Sequence, residues 1–307
     1  MPYQAYRKGV VDCSTPVDTS SIKGKSVVIT GGAGGMGEQA VYAFVKAGAF
    51  VTFGDLSDEA GKKIEADLAP NVKFCHCDVT SWDDQYAMFR AAKEISPSKS
   101  IDVVIANAGI TGPDPIFYGE EPDEEPKKPT LKVLDVNVNG AIYTLKLARY
   151  YFLRNEEGPG RDRCFIIMSS LAGYGDVPGG AVYMASKFAA RALMRCVRRT
   201  TVVDGIRSNA LAPWYVATGL MSSAVLDHVR TKGIQFADAA DAAGAMLKIA
   251  CEPSINGRCF TIVPRTEAPF GYYDMDVDDY SDGSKADIQE YTMINTSHRI
   301  QVNPHDQ

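Results

Sequence analysis

Short apolar runs alternate with longer stretches of helical spacing from about Ser26 to Val263. Ser26–Thr30 reads as a buried strand, and the glycines that follow it open a helix through Val41–Val45. Phe50–Phe53 is a second strand, followed by a helix over Glu59–Leu68. Further strands are expected at Val72–Cys77, Val103–Ala106, Cys164–Met168, Ser208–Ala212 and Phe260–Val263. Helices are expected near Trp82–Ile95, Leu131–Phe152, Ala181–Val203 and Asp238–Cys251. Strand and helix in repeated alternation, joined by short turns, predict an α/β domain with a parallel sheet covered on both faces. No internal repeat is present.

Two segments lie outside this alternation. Residues 1–22 form a polar N-terminal arm, 23–264 the α/β body, and 265–307 a C-terminal tail. The tail carries eight carboxylates between Glu267 and Glu290, interleaved with Phe270, Tyr272, Tyr273, Tyr280 and Tyr291. Disordered tails are poor in aromatics, so this one is expected to pack on the body or on a neighbouring subunit. Asp274–Asp279 begins like a calcium loop, but Asp279 stands where glycine is needed and Lys285 where a bidentate glutamate belongs. It reads as a solvated acidic stretch.

Composition narrows the function classes. Of 307 residues, 45% are hydrophobic and 23% charged, as in ordinary globular proteins. A net charge of −6 excludes a non-specific nucleic-acid binder, and no run of eighteen apolar residues spans a membrane. The start, Met1–Lys8, lacks the apolar stretch of a secretory signal. Seven scattered cysteines read as free thiols of a reducing compartment, so a cytoplasmic location is expected. Cys75-His76-Cys77 lies on a strand where the cysteines share one side and the histidine takes the other, with no second ligand pair. Packing rather than metal binding is expected there.

The turn Thr30-Gly31-Gly32-Ala33-Gly34-Gly35-Met36-Gly37 follows a strand and begins a helix. Glycines let the backbone approach a pyrophosphate, whose charge meets N–H groups at the helix start. Gly31, Gly35, Met36 and Gly37 are therefore cofactor-contact candidates. Asp55 closes the second strand about 20 residues on, where a carboxylate can accept hydrogen bonds from the adenosine ribose. Leu56 and Ser57 beside it offer no cation for a 2′-phosphate, which points to NAD. Asp78 and Val79, at the end of the third strand, are placed to meet the adenine, Asp78 at its amino group.

Tyr183 and Lys187 lie four apart in a predicted helix, one turn apart on one face. A phenol is a poor base at neutral pH, its ordinary pKa being about 10. A neighbouring ammonium and the positive ring of an oxidised nicotinamide both favour the phenolate, which can then take an alcohol proton while hydride leaves.

The glycine turn, Asn107-Ala108-Gly109 and Tyr-x-x-x-Lys occur in an order and at spacings that resemble the short-chain dehydrogenase/reductase family, from about Lys25 to Pro264. The resemblance implies one Rossmann-type doubly wound domain with a seven-stranded parallel sheet in the order 3-2-1-4-5-6-7. It implies a catalytic tetrad of Asn137, Ser170, Tyr183 and Lys187, with Ser170 bonding the substrate oxygen and Asn137 holding a water. It adds Asn107, Ala108, Gly109, Lys187, Pro213, Val216 and Thr218 to the cofactor contacts, and a homodimer or homotetramer as the assembly. The family's usual Pro-Gly-x-x-x-Thr reads here Pro213-Trp214-Tyr215-Val216-Ala217-Thr218, so Trp214 replaces a glycine. Its indole either forms part of the substrate wall or packs under the following loop.

Segment 214–236, the family's variable substrate loop, is rich in apolar residues. With Trp214 and Tyr215 it points to a hydrophobic secondary alcohol or its ketone, with Ser170 and Tyr183 at the reacting oxygen. The chain is also similar in outline to fungal secondary-metabolism members of the family. The rival reading is a redox-silent relative, an NAD sensor or a scaffold for a non-redox step. A missing tyrosine or lysine would have supported it; both are present. Oxidation and reduction stay equally open.

Overall fold

The computed structural model describes residues 9–119, 125–156, 162–280 and 283–296. Residues 1–8 of the expected arm and 297–307 of the expected tail lie outside them. The strands are β1 (Ser26–Thr30), β2 (Phe50–Asp55), β3 (Val72–His76), β4 (Val103–Ala106), β5 (Arg163–Met168), β6 (Ile206–Pro213), β7 (Cys259–Ile262) and β8 (Tyr272–Asp274). They form one sheet in the order β3-β2-β1-β4-β5-β6-β7-β8. The first seven run parallel, with Val27 opposite Val51 on one side and Val103 on the other.

The helices are α1 (Gly35–Lys46), α2 (Asp58–Leu68), α3 (Trp82–Ile95), α4 (Lys132–Leu134), α5 (Ala141–Phe152), α6 (Ala181–Thr200), α7 (Ser223–Thr231), α8 (Ala239–Cys251) and α9 (Gly283–Thr296). Alternate residues of the central strands feed two cores. Val27 and Ile29 pack on one face with Phe44 of α1 and Met246 of α8. Val28 points to the other face, with Met88 and Phe89 of α3, Phe152 of α5 and Met194 of α6. Strands buried on both sides carry apolar side chains at consecutive positions, which is why β1 reads Val-Val-Ile.

Four elements differ from the sequence expectation. The expected helix over Leu131–Phe152 is broken into α4, a π-helical stretch Asp135–Gly140, and α5. The helix expected to reach Val203 stops at Thr200, and a 3₁₀ turn ends at the left-handed Gly205. Inside the segment read as a loop, α7 is capped by the Ser222 side chain, which accepts from the Val225 amide.

The eighth strand is the fourth difference. It comes from the segment read as a tail and runs antiparallel to β7, pairing Tyr273 with Thr261. The acidic stretch is paired with cations, with Asp274 and Asp278 buried and Asp276 exposed. Arg258, 2% exposed, donates to Asp274 at 2.7 Å and also pairs with Asp276 and Asp279. Four carboxylates in six residues are tolerated because they share buried cations. The arm joins the same network, since the Val11 amide donates to Asp274 at 3.0 Å and Val11 and Cys13 are buried.

Burial is the largest influence on the Asp274 carboxyl and raises its pKa even beside Arg258. The pair therefore fixes geometry more than it adds stability. Removing one partner alone still leaves a buried charge short of compensation. Asp274→Ala is expected to destabilise the fold by about 3 kcal/mol, at the low end because Asp276 and Asp279 persist. Thermal melts should show a fall of roughly 5–10 °C; a change under one degree would place Arg258 at no cost without Asp274.

Candidate active site

The carboxyl ends of β1, β2, β4, β5 and β6 lie side by side in the sheet, and the strand order reverses beside β1, where open α/β sheets hold their ligand crevice. On one flank lies the glycine turn. Gly35 has φ +55°, and a Cβ on Gly37 would run into the Gly31 carbonyl. Only glycine allows that path into α1. Nothing stands within 4 Å of where a Gly34 side chain would project, and α1 has no side-chain cap. Its first-turn amides thus have no side-chain cap, which leaves them as the kind of donor set a pyrophosphate requires.

Asp55 ends β2 beside this turn. One carboxylate oxygen accepts from the Ala33 amide at 3.0 Å and the other from Ser57 at 3.1 Å, while Leu56 is exposed. Asp78 accepts from the Thr80 amide and hydroxyl, and buried Val79 packs against Gly140. Asn107 is turned inward: its side-chain amide donates to the Thr30 and Gly31 carbonyls at 3.1 and 2.9 Å. It holds the glycine turn in shape. The Ala108 amide donates to the Thr30 hydroxyl, and Gly109 leaves room for Asn137 and Lys187.

The opposite flank carries the polar cluster. Asn137 sits in the π-helical stretch, a local geometry frequent at functional sites. Its carbonyl accepts from the Ile110 amide at 2.8 Å, and its Nδ2 donates to the Ile110 carbonyl at 2.9 Å and the Ser186 hydroxyl at 3.0 Å. Ser170 begins the 3₁₀ turn Leu171–Gly173 after β5, its hydroxyl accepting from Ala172. Tyr183 and Lys187 lie one turn apart in α6, with the ammonium nitrogen 5.5 Å from the phenol ring centre. Lys187 donates to the Met168 carbonyl at 3.1 Å. Asn137, Ser170, Tyr183 and Lys187 thus converge.

Burial raises the Tyr183 phenol above its ordinary value, and a hydrogen bond with Ser170 lowers it in part. Burial pushes the Lys187 ammonium down to about 8. Below about pH 8 folded and unfolded chains both carry the Lys187 charge, and the fold bears its full burial cost. Between about 8 and 10.5 the unfolded chain holds a proton that the folded chain has lost, so stability gains as pH rises. Relative to Lys187→Met, the cofactor-free wild type should gain about 2–3 kcal/mol from pH ~7 to pH ~10 in urea melts. A difference independent of pH would show that Lys187 titrates normally.

Pro213 ends β6, and Trp214 and Tyr215 follow with rings 4.9 Å apart, edge to face. Both are more than a third exposed. Val216 is buried and bridges Ala237. The Thr218 side chain lies over Gly35.

No motif or spacing singled out Asp114. Its carboxylate is buried and accepts from the Val182 amide at 2.7 Å, capping the first turn of α6 just before Tyr183. Nor did any periodicity single out Ile116, Phe117 and Tyr118, which are exposed, with the Tyr118 hydroxyl against Gly179. Among the described residues no group of His, Cys, Asp and Glu could hold a metal ion. Cys75 and Cys77 have thiols pushed up by burial to about 11 and 12, and His76 pairs with Asp58.

Residues 25–228 match the model of the short chain dehydrogenase family. The chain belongs to that family. A short-chain dehydrogenase is an oxidoreductase working with a nicotinamide dinucleotide, and the glycine turn, Asp55 and the crevice fit such a group. The chain is 37% identical to the 5'-hydroxyaverantin dehydrogenase of Dothistroma septosporum, over 89% of its own length and 94% of that enzyme's. It is 32% identical to the 5'-hydroxyaverantin dehydrogenase of Emericella nidulans, over 87% and 91%. A 3-ketoacyl-(acyl-carrier-protein) reductase from Brucella melitensis, solved with NADH, shares the fold with TM-score 0.67 at 21% identity, over 78% of this chain and 97% of that one. No helix among the described residues is long and apolar enough to cross a membrane.

Proposed function

We propose that this short-chain dehydrogenase oxidises a hydrophobic secondary alcohol of fungal secondary metabolism with NAD, or reduces the corresponding ketone. The convergence of Ser170, Tyr183 and Lys187 at the carboxyl end of β5 carries this reading. Gly31, Gly35, Met36 and Gly37 would hold the pyrophosphate, Asp55 and Leu56 the adenosine ribose, and Asp78 and Val79 the adenine. Lys187, Pro213, Val216, Thr218 and the Asn107–Gly109 strand end would hold the nicotinamide half. Bound there, the oxidised cofactor supplies a hydride acceptor and a positive ring that favours both the Tyr183 phenolate and proton release.

Ser170 donates to the substrate oxygen and fixes it beside Tyr183. Tyr183 takes the alcohol proton, and a phenolate formed there in turn holds Lys187 in its charged form. Asn137 keeps the π-helical stretch against Ile110 and Ser186, so that its carboxamide stays beside Lys187. Trp214 and Tyr215 offer an exposed aromatic wall to an apolar substrate. 5'-Hydroxyaverantin, for which two relatives are named, is the first alcohol to offer with NAD. NADH formed in step with alcohol consumed is expected; NAD binding without turnover on any secondary alcohol would favour a redox-silent role.

A further inference from the structure

We infer that Asp278, outside the family-matched segment, is a positioning residue that clamps the Ser170 turn onto the Tyr183 helix and so sets the Ser170–Tyr183 alignment. The inference rests on the roles proposed for those two side chains. It begins with how the turn meets the helix. The Ser169 hydroxyl donates to the Lys187 carbonyl at 3.0 Å, and Gly173 lies so close that a Cβ there would stand 2.8 Å from the same oxygen. Arg191, one turn beyond Lys187, donates to the Gly173 carbonyl at 3.3 Å and stacks over the Tyr174 ring at 4.1 Å. The catalytic serine and tyrosine are thus brought together by a seam between residues 169–174 and α6.

Asp278 closes the far end of that seam. It is 5% exposed. One carboxylate oxygen accepts from the Tyr174 hydroxyl at 2.8 Å, which belongs to the turn. The other accepts from Arg191 at 2.7 Å and Arg195 at 3.2 Å, both on α6. Its backbone carbonyl accepts from Arg195 and from Arg198 at 2.9 Å. Tyr183, Lys187, Arg191 and Arg195 recur every four residues along one helix, so a single carboxylate grips the stripe that carries the chemistry. A shared charge-assisted network of this kind holds geometry tightly, because each partner is already committed to the others.

The test compares wild type, Asp278→Ala, Asp278→Asn and Tyr174→Phe on one alcohol with NAD. Tyr183 faces Ser170 from the turn and Lys187 from its own helix, so a shift of the turn removes the hydrogen bond that favours its phenolate. Asp278→Ala should lower kcat about tenfold or more, leave KM for NAD within about twofold, and move the acidic limb of the kcat profile to higher pH. Asp278→Asn, which still accepts from Tyr174, should fall between it and wild type. Tyr174→Phe removes one hydroxyl, leaves the arginines paired, and decides the matter if Asp278→Ala does not fold; it should shift the limb the same way. Folded variants with the wild-type kcat and limb, or a lower melting temperature with the limb unmoved, would overturn the clamp. Tyr183→Phe run alongside separates the two claims: an active Tyr183→Phe removes the proposed mechanism itself, whereas an inactive one beside unaffected Asp278 variants removes only the clamp.

Discussion

Tyr183→Phe is expected to yield a folded protein that binds NAD and turns over about a hundredfold or more slower than wild type. The ring stays, so the packing of the first turn of α6, capped by Asp114, is preserved. What is lost is the hydroxyl that meets Ser170 and would take the alcohol proton. The size follows from the general worth of a positioned acid or base, about 10²–10⁴ in rate. Ser170 and Asn137 would remain and could not replace it, since a serine hydroxyl and a carboxamide are far weaker bases. KM for NAD should stay close to wild type. Near-normal turnover in the folded variant would remove Tyr183 from the chemistry.

The second large effect concerns the choice of cofactor. A preference for NAD over NADP well above tenfold in kcat/KM is expected, and it rests on Asp55. Its carboxylate is pinned at the glycine turn by the Ala33 and Ser57 amides, so it cannot readily swing away from a ribose bound there. A 2′-phosphate in the same place would bring like charges within a few ångströms. At an effective dielectric near 20, charges ~4 Å apart interact by about 4 kcal/mol, reduced where water enters. Half of that still exceeds the roughly 1.4 kcal/mol of a tenfold preference. The adjacent Leu56 is exposed and uncharged, and an arginine there could reach a phosphate. Asp55→Ala combined with Leu56→Arg should narrow or reverse the preference. Equal use of both cofactors by wild type, or a double variant whose preference does not move, would remove Asp55 as the discriminator.

The seven parallel strands and most of the helices were legible because buried strands and amphipathic helices write their periods directly into the chain. β1 and β4 have the bounds that their apolar runs predict. The candidate residues were legible where the chemistry is local: Tyr183 and Lys187 share one helix face, and the glycine turn is contiguous. What depends on distant partners was not. β8 is only three residues long and exists because β7 offers an edge. The acids at 274–279 looked solvated because their cations, Arg191, Arg195, Arg198 and Arg258, lie far back in the chain. Asp114 caps a helix that begins 67 positions later, and no local rule links the two. The π-helical stretch at Asn137 escaped because its residues also suit an α-helix.

The most direct test of hydride transfer at this site follows both products of one reaction. The protein is mixed with NAD and 5'-hydroxyaverantin or another apolar secondary alcohol, and NADH absorbance is compared with the substrate's mass. The account predicts NADH appearing one for one with a ketone two hydrogens lighter, at a rate that collapses in Tyr183→Phe. Product formed without NADH, or formed equally well by Tyr183→Phe, would contradict it.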